Sequence, residues 1–104
     1  MKTEHLNKIP DNWSKMAKVF EAMGNEYRQK ILLLFEKGEE LSIKDLVDFF
    51  PLKRTSLVHH LQILQNAEIL IATKKGKYLY LKINPDIVIE SCNKLIQYAL
   101  TIKE

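Results

Sequence analysis

The side chains in this sequence whose types and spacing could do chemistry lie on one helix face and in one lysine-rich turn. Residues 54–66 repeat with the period of a helix, and the side opposite three leucines is polar and free of acids. Short polar groups on such a face can contact base edges. The residues suited to this role are Thr55, Ser56, Val58, His59 and Gln62. The basic residues suited to holding phosphates are Lys53, Arg54, Lys74, Lys75 and Lys77.

The charge of the chain is concentrated in the same region. The 104 residues include 16 Lys and Arg against 13 Asp and Glu, a formal net charge of +3. Residues 53–82 hold six of the basic residues and one acid, which gives this segment +5 and leaves −2 for the remainder. A mildly acidic body with one basic segment is typical of a protein that binds nucleic acid. On charge alone, an ordinary solvated surface is an equally good interpretation.

Length and composition exclude several other classes of protein. A chain of 104 residues predicts one domain, and its single cysteine excludes an internal disulfide framework and a cysteine-rich zinc site. No apolar run approaches the roughly 20 residues that span a bilayer, and no signal peptide precedes the first helix, so we expect a cytoplasmic protein without membrane contact. Patterns of a nucleophilic triad, a carboxylate pair or a phosphate loop are absent, which predicts that the chain is not an enzyme.

Four helices must position the polar face. Asn12 is a candidate cap of the first helix and Asn25 of the second, which Gly38 is expected to close. Ser42 begins the third helix with a pattern that resembles a capping box, and Pro51 ends it. The fourth helix, which carries the polar face, follows after only a short turn.

A hairpin and a last helix complete the predicted elements. Residues 69–73 are apolar and rich in β-branched side chains, and residues 78–83 alternate with period 2, so each segment predicts a strand. Gly76 allows the positive φ that a tight turn between the strands needs. Residues 86–102 then return to a helical period, which predicts the last helix.

Two short helices joined by a tight turn and followed by a hairpin predict a winged helix-turn-helix, mainly α with a small β-hairpin, in the order α-α-α-α-β-β-α. Residues 53–66 form the predicted recognition helix in the major groove of DNA, and residues 73–78 the wing on the backbone. We divide the chain into a flexible lead, residues 1–10, and this one domain, residues 11–104. The alternative is a protein-interaction module on the same scaffold, without specific DNA binding.

Apolar stripes in the first and last helices predict a dimer interface. The stripe in the first helix consists of Trp13, Met16, Phe20 and Met23. The stripe in the last helix consists of Val88, Cys92, Leu95, Ala99 and Ile102. A core this small leaves part of both stripes uncovered, and a two-fold interface would bury them. Packing of both stripes within their own protomer is the alternative interpretation.

Several segments together resemble the ArsR/SmtB-type winged-helix repressors. Residues 22–32 (AMGNEYRQKIL) are similar to an opening motif of that family, and residues 41–46 (LSIKDL) to its third helix. Residues 52–64 (LKRTSLVHHLQIL) resemble its recognition segment, while residues 67–70 and 76–80 resemble its wing. The resemblance implies a homodimer whose recognition helices enter successive major grooves of a palindromic operator. It also implies a repressor of transcription that releases double-stranded DNA on sensing a signal.

The metal ligands of that family are missing from this chain. Metal-sensing members carry Cys-x-Cys in the third helix, where this chain has Ser-Ile-Lys at residues 42–44. Other members place Asp and His ligands along the last helix, whereas residues 86–104 of this chain contain no His. We therefore expect no metal and no cofactor, and the effector stays unidentified. Lys53 replaces the first serine of the recognition segment and fits phosphate binding. Glu68 replaces the usual glycine before the first strand of the wing, which predicts a slightly different helix exit.

Two further side chains, His60 and Cys92, have a structural and a functional interpretation. His60 matches a family histidine and is expected to be partly buried and hydrogen-bonded, so His59 is the better candidate for DNA contact. Cys92 lies on an apolar stripe, where a lone cysteine is usually a small buried side chain. A disulfide between two copies or a sulfenic acid is the other interpretation of Cys92.

Overall fold

Five helices and a three-stranded antiparallel sheet make up the chain, and the computed structural model describes all 104 residues. The helices are α1 (Asp11–Met23), α2 (Glu26–Leu33), α3 (Ile43–Phe49), α4 (Arg54–Asn66) and α5 (Pro85–Ile102). The strands are β1 (Glu40–Ser42), β2 (Leu70–Lys75) and β3 (Tyr78–Ile83), in the sheet order β1-β3-β2. The predicted winged helix-turn-helix fold is confirmed, with β1 as an additional strand. Residues 1–10 form neither helix nor strand and are exposed throughout.

Side-chain caps begin two of the helices as predicted. The Asn25 carboxamide oxygen accepts a hydrogen bond from the backbone N–H three residues later at 3.2 Å, and the Ser42 hydroxyl does the same at 3.0 Å. The predicted cap at Asn12 is wrong, because α1 already begins at Asp11. The Pro10 carbonyl accepts the first hydrogen bonds of this helix, and no side chain caps it.

The end of α2 also differs from the prediction. The helix ends at Leu33, so Gly38 does not close it. Gly38 instead has φ +72° in a turn that leads the chain into β1. This conformation favours glycine, which explains why the residue is found there even though the helix has already ended.

The wing is a tight hairpin between β2 and β3. Its turn contains two residues, Gly76 and Lys77, and Gly76 has the predicted positive φ, at 61°. Strand β2 continues two residues beyond the predicted limit, so Lys74 and Lys75 belong to the strand rather than to the loop. Successive side chains of a strand point to opposite faces, and these two lysines therefore do so as well.

The core lies between the helices and one face of the sheet. Leu57, Leu61 and Leu64 of α4 are at most 1% exposed, as their spacing predicted. The other members of the core cluster are Val19, Ala22, Ile31, Leu46, Phe50, Ala67, Ile69, Leu70 and Leu81. Helix α5 contributes one buried residue to the protomer, Ser91, although it is the longest helix. Most of the apolar side chains of α5 therefore lie outside the core.

A left-handed turn built on Glu68 ends α4. The N–H of Glu68 donates to the Gln65 carbonyl at 2.9 Å, and the N–H of Ile69 donates to the Leu64 carbonyl at 3.0 Å. This pair of bonds is a Schellman motif, which requires a left-handed residue and usually recruits glycine. Glu68 meets the requirement with φ 64°. Glu68 thus adopts the backbone conformation that glycine favours. The helix ends as it would with glycine at this position, and the predicted difference in the helix exit is not seen.

Replacing Glu68 with glycine is expected to raise the free energy of unfolding by about 0.5–1 kcal/mol, because the left-handed conformation strains every residue that has a Cβ. Urea denaturation at one fixed protein concentration measures this change. The control is Gln65→Gly within the same helix, which should lower the free energy of unfolding by roughly 1 kcal/mol. A loss of stability in both variants would contradict the strain at Glu68.

Candidate nucleic-acid interface

The polar side of α4 faces outward because its leucines face the core. Helices α3 and α4 are joined by residues 50–53, which gives the short turn of a helix-turn-helix. Of the side chains predicted to contact bases, Val58 is partly buried. The exposed members of that set are Thr55, Ser56, His59 and Gln62. The structure therefore presents a row of short polar groups on one helix, with one aliphatic side chain among them.

A cleft of about 430 Å³ separates the N-terminal ends of α3 and α4 from the wing. Three cationic side chains line this cleft: Lys44 of α3, Arg54 of α4 and Lys77 of the wing turn. Lys77 also lies beside the Tyr78 ring, with its Nζ 5.4 Å from the ring centroid. The structure thus brings together two of the predicted phosphate ligands from segments that are distant in the sequence.

Lys44 is a member of the cleft that sequence reasoning missed. Its Nζ lies 3.0 Å from the Asp48 carboxylate, and this hydrogen bond raises the pKa of Lys44, so that the side chain stays protonated. In the sequence, a Lys and an Asp four residues apart indicate an ordinary ion pair on a helix surface. The one available signal was the position of Lys44 in the first turn of α3, directly after the Ser42 cap.

The two lysines at the end of β2 have different environments. Lys74 shares its sheet face with buried Leu70, whereas Lys75 lies on the opposite face. There the Lys75 ammonium donates a hydrogen bond to the Glu40 carboxylate of β1 and stands 5.5 Å from the Tyr80 ring centroid. The bond from Lys75 holds the pKa of Glu40 below its usual range.

Lys75 is the one basic residue of segment 53–82 that pairs with a carboxylate. The remaining predicted phosphate ligands are exposed and unpaired, namely Lys53, Arg54, Lys74 and Lys77. In the free protein, the positive charge of this surface is therefore reduced at two positions, at Lys75 by Glu40 and at Lys44 by Asp48.

The predicted dimer residues form a second surface on α1 and α5. Met16 is buried at 3% exposure, so it has little area to offer a second copy. Trp13, Phe20 and Val88 are partly buried, and Trp13 packs edge-on against Tyr98 with ring centroids 5.0 Å apart. The exposed members are Cys92, Leu95, Ala99 and Ile102. Cys92 is thus not buried within the protomer, contrary to one of its two interpretations.

Clusters of metal ligands and membrane-spanning helices are both absent from the structure. Nowhere do three or more His, Cys, Asp or Glu side chains gather so that they could hold a metal ion. None of the helices combines the length and the apolar character that crossing a membrane requires.

Known proteins that are similar to this chain in sequence or in structure are transcriptional regulators. The transcriptional repressor SdpR of Bacillus subtilis is 32% identical over 83 residues, which are 80% of this chain and 91% of that protein. The arsenic resistance transcriptional regulator ArsR1 of Pseudomonas putida is 28% identical over 69 residues, 66% of this chain and 54% of that protein. A solved ArsR-like transcriptional regulator from Rhodococcus sp. RHA1 has a TM-score of 0.79 at 21% identity, covering 88% of this chain and 86% of that chain. No protein-family profile matches the chain.

Proposed function

Because the chain belongs to the ArsR family of DNA-binding transcriptional regulators, we propose that it is a homodimeric repressor that binds a palindromic DNA operator in the cytoplasm. The relatives it matches are regulators rather than enzymes. The observation that carries the proposal is the cleft in which Lys44, Arg54 and Lys77 meet beside the polar face of α4. A helix that reads bases next to cations that hold phosphates is the arrangement a sequence-specific DNA-binding surface needs.

In the proposed complex, α4 enters the major groove with its polar side toward the base edges. Its hydroxyl, imidazole and carboxamide groups can donate to and accept from bases, and the Val58 side chain can contact a thymine methyl group. Arg54 and Lys44 at the helix N-termini face the phosphates on one side of the groove, and Lys77 follows the backbone beyond it. Base contacts then give sequence preference, while phosphate contacts give affinity that depends on salt.

The apolar surface on α5 supports the dimer. Leu95, Ile96, Leu100 and Ile102 are 40–66% exposed in the protomer, which is unusual for four large aliphatic side chains on one helix. A two-fold axis beside α5 would bury them and set two copies of α4 on the same side of the assembly. Two such helices can read the two halves of a palindrome.

Selection of bound duplexes from random DNA tests the proposal. We expect a palindromic sequence to be enriched and the affinity for it to fall steeply as salt rises, because counterions are released at each phosphate contact. Repeating the selection with Zn²⁺ and with an oxidant tests the expected lack of metal sensing and the role of Cys92. Retention of a protein partner without salt-dependent retention of DNA would favour the interaction module instead.

Replacing Glu40 with glutamine is expected to increase DNA affinity about two- to fivefold at low salt, because the Lys75 ammonium is freed to contact phosphate and one repulsive charge is removed. Fluorescence anisotropy with the selected duplex measures the change. The matched control is Glu39→Gln, which removes a neighbouring acid that does not pair with the wing. Equal effects of the two substitutions would show that only net charge matters, and not the contact between Lys75 and Glu40.

A further inference from the structure

Arg28 is a buried cation that has no carboxylate partner. Its side chain is on α2 and is 9% exposed. The Nε atom donates to the Ala22 carbonyl at 2.7 Å and Nη2 donates to the Glu21 carbonyl at 3.1 Å, both at the C-terminal end of α1. Carbonyl groups at a helix C-terminus carry partial negative charge, so they stabilise the guanidinium without an acid. Arg28 therefore joins α1 to α2.

The third contact of Arg28 reaches the recognition helix. Its Nη1 atom lies 3.1 Å from Nδ1 of His60, which is one residue after the DNA-facing His59 on α4. A guanidinium has only donors, so Nδ1 must be the acceptor and His60 must be neutral for this hydrogen bond to form. The Tyr27 ring stacks on the His60 ring with centroids 5.9 Å apart. Two residues of α2 therefore contact His60, Arg28 through a hydrogen bond and Tyr27 through ring stacking.

We propose that Arg28 and His60 are positioning residues, which hold the recognition helix against α1 and α2 only while His60 is neutral, so that acidification weakens DNA binding. This inference rests on the proposed function and adds a pH response to it. When Nδ1 gains a proton, it becomes a second donor facing the guanidinium, and the hydrogen bond is replaced by repulsion between two cations. Helix α4 then loses the one polar contact to α2 next to its DNA-facing side.

The groups that face His60 all favour its neutral form. Partial burial, the Arg28 charge and the neighbouring His59 lower the pKa of His60, burial being the largest cause. Tyr27 contributes an uncharged ring, and Lys30 places a further cation 5.3 Å from the centroid of that ring. On α1, the backbone carbonyls of Ala22 and Glu21 are bound to Arg28. Since the lowered pKa belongs to the folded state, the contribution of His60 to the free energy of unfolding is complete above its ordinary pKa and is lost as the pH falls through the lowered pKa of the folded state.

The neighbouring His59 is replaced in the experiment, so that His60 is the one imidazole left on α4. His59→Gln keeps a hydrogen-bonding side chain that does not titrate, and all measurements are made in this background. The probe is the fluorescein-labelled duplex recovered by selection, at constant salt. The parent is expected to lose affinity about three- to tenfold from pH 7.5 to pH 5.5, the loss that one hydrogen bond corresponds to.

Two substitutions separate positioning from general stability. His60→Asn supplies a carboxamide oxygen near the place of Nδ1 that does not titrate, and it is expected to rescue binding at pH 5.5 to the level at pH 7.5. Arg28→Met is expected to weaken binding at both pH values and to remove the pH response. Lys30→Met is the control, because it removes a nearby charge but leaves the hydrogen bond in place, and it should keep the response. Circular dichroism at both pH values checks that each variant is folded.

The outcomes distinguish this inference from the proposed function. A pH response that persists in His60→Asn, or a parent without one, overturns the positioning role while DNA binding stands. If the selection recovers no duplex, the proposed function fails, and the Arg28 contact is tested by NMR titration of the His60 ring. In that titration Arg28→Met should raise the pKa of His60 toward its ordinary value, and an unchanged titration overturns the contact.

Discussion

Replacing Arg54 and Lys77 together with alanine is expected to reduce affinity for the selected duplex about 10- to 100-fold at low salt. The two cations line the same cleft from α4 and from the wing, so both contacts with the DNA backbone are lost at once. Each lost phosphate contact lowers the slope of log affinity against log salt by roughly 0.9, so the double variant should be flatter by about 2. Sequence preference should change little, because these contacts carry no base information.

The matched control for this variant is Lys37→Ala with Lys103→Ala, which removes the same charge from two exposed positions outside the cleft. Anisotropy titrations of both variants at several salt concentrations give affinity and slope from the same data. Equal losses in the two variants would mean that net charge, rather than the cleft, attracts DNA. A double variant with unchanged affinity would show that the DNA-binding surface lies elsewhere.

Replacing Leu95 and Ile102 together with aspartate is expected to abolish the proposed dimer and to reduce affinity for the selected duplex at least about 100-fold. Burying two unpaired carboxylates in an apolar interface is strongly unfavourable, whereas both positions face solvent in the protomer, at 40% and 66% exposure. Without a linked second recognition helix, each half-site binds alone and the gain from bivalency disappears. Sedimentation equilibrium measures the assembly state, and anisotropy measures the affinity.

The control for the dimer variant is Gln97→Asp with Thr101→Asp. It adds the same charge to α5 at two exposed positions on another side of the helix. This variant should remain a dimer and should lose affinity only through its added negative charge. If the Leu95 and Ile102 variant also remains a dimer, the interface does not use α5. If it becomes a monomer that binds the palindrome as tightly as before, the repressor does not need two-fold symmetry.

The helices of this fold could be predicted from the sequence because their signals are local. Asn25 and Ser42 cap the backbone three residues ahead, and the leucines of α4 repeat at the period of the helix that they bury. Strand β1 could not be predicted in this way. It has three residues, too few to show a period, and it exists because Glu40–Ser42 pairs with β3 from much later in the chain.

The site was predictable only as far as residue type and helix face determine it. The exposed side of α4 and the Gly76 turn were both apparent from the sequence. The cleft was not, because Lys44, Arg54 and Lys77 become neighbours only when the wing folds back toward α3. The contact between Lys75 and Glu40 depends on β1, so it was hidden together with that strand. Arg28 was hidden for a similar reason, since its partners lie on two other helices.

Because α5 has only one buried residue, the order of its C-terminal half should depend on the protein concentration. Ser91, Ile87 and Val88 pack the first half of the helix on the protomer, whereas in its C-terminal half the contact of Tyr98 with Trp13 is the main one that slows exchange of backbone amides with solvent. Amide protons in its C-terminal half should therefore exchange fast in a dilute protein and slowly in a concentrated one, while those of α4 change much less. The last turns of α5 would then be ordered at the protein concentrations at which the proposed dimer forms, and frayed below them.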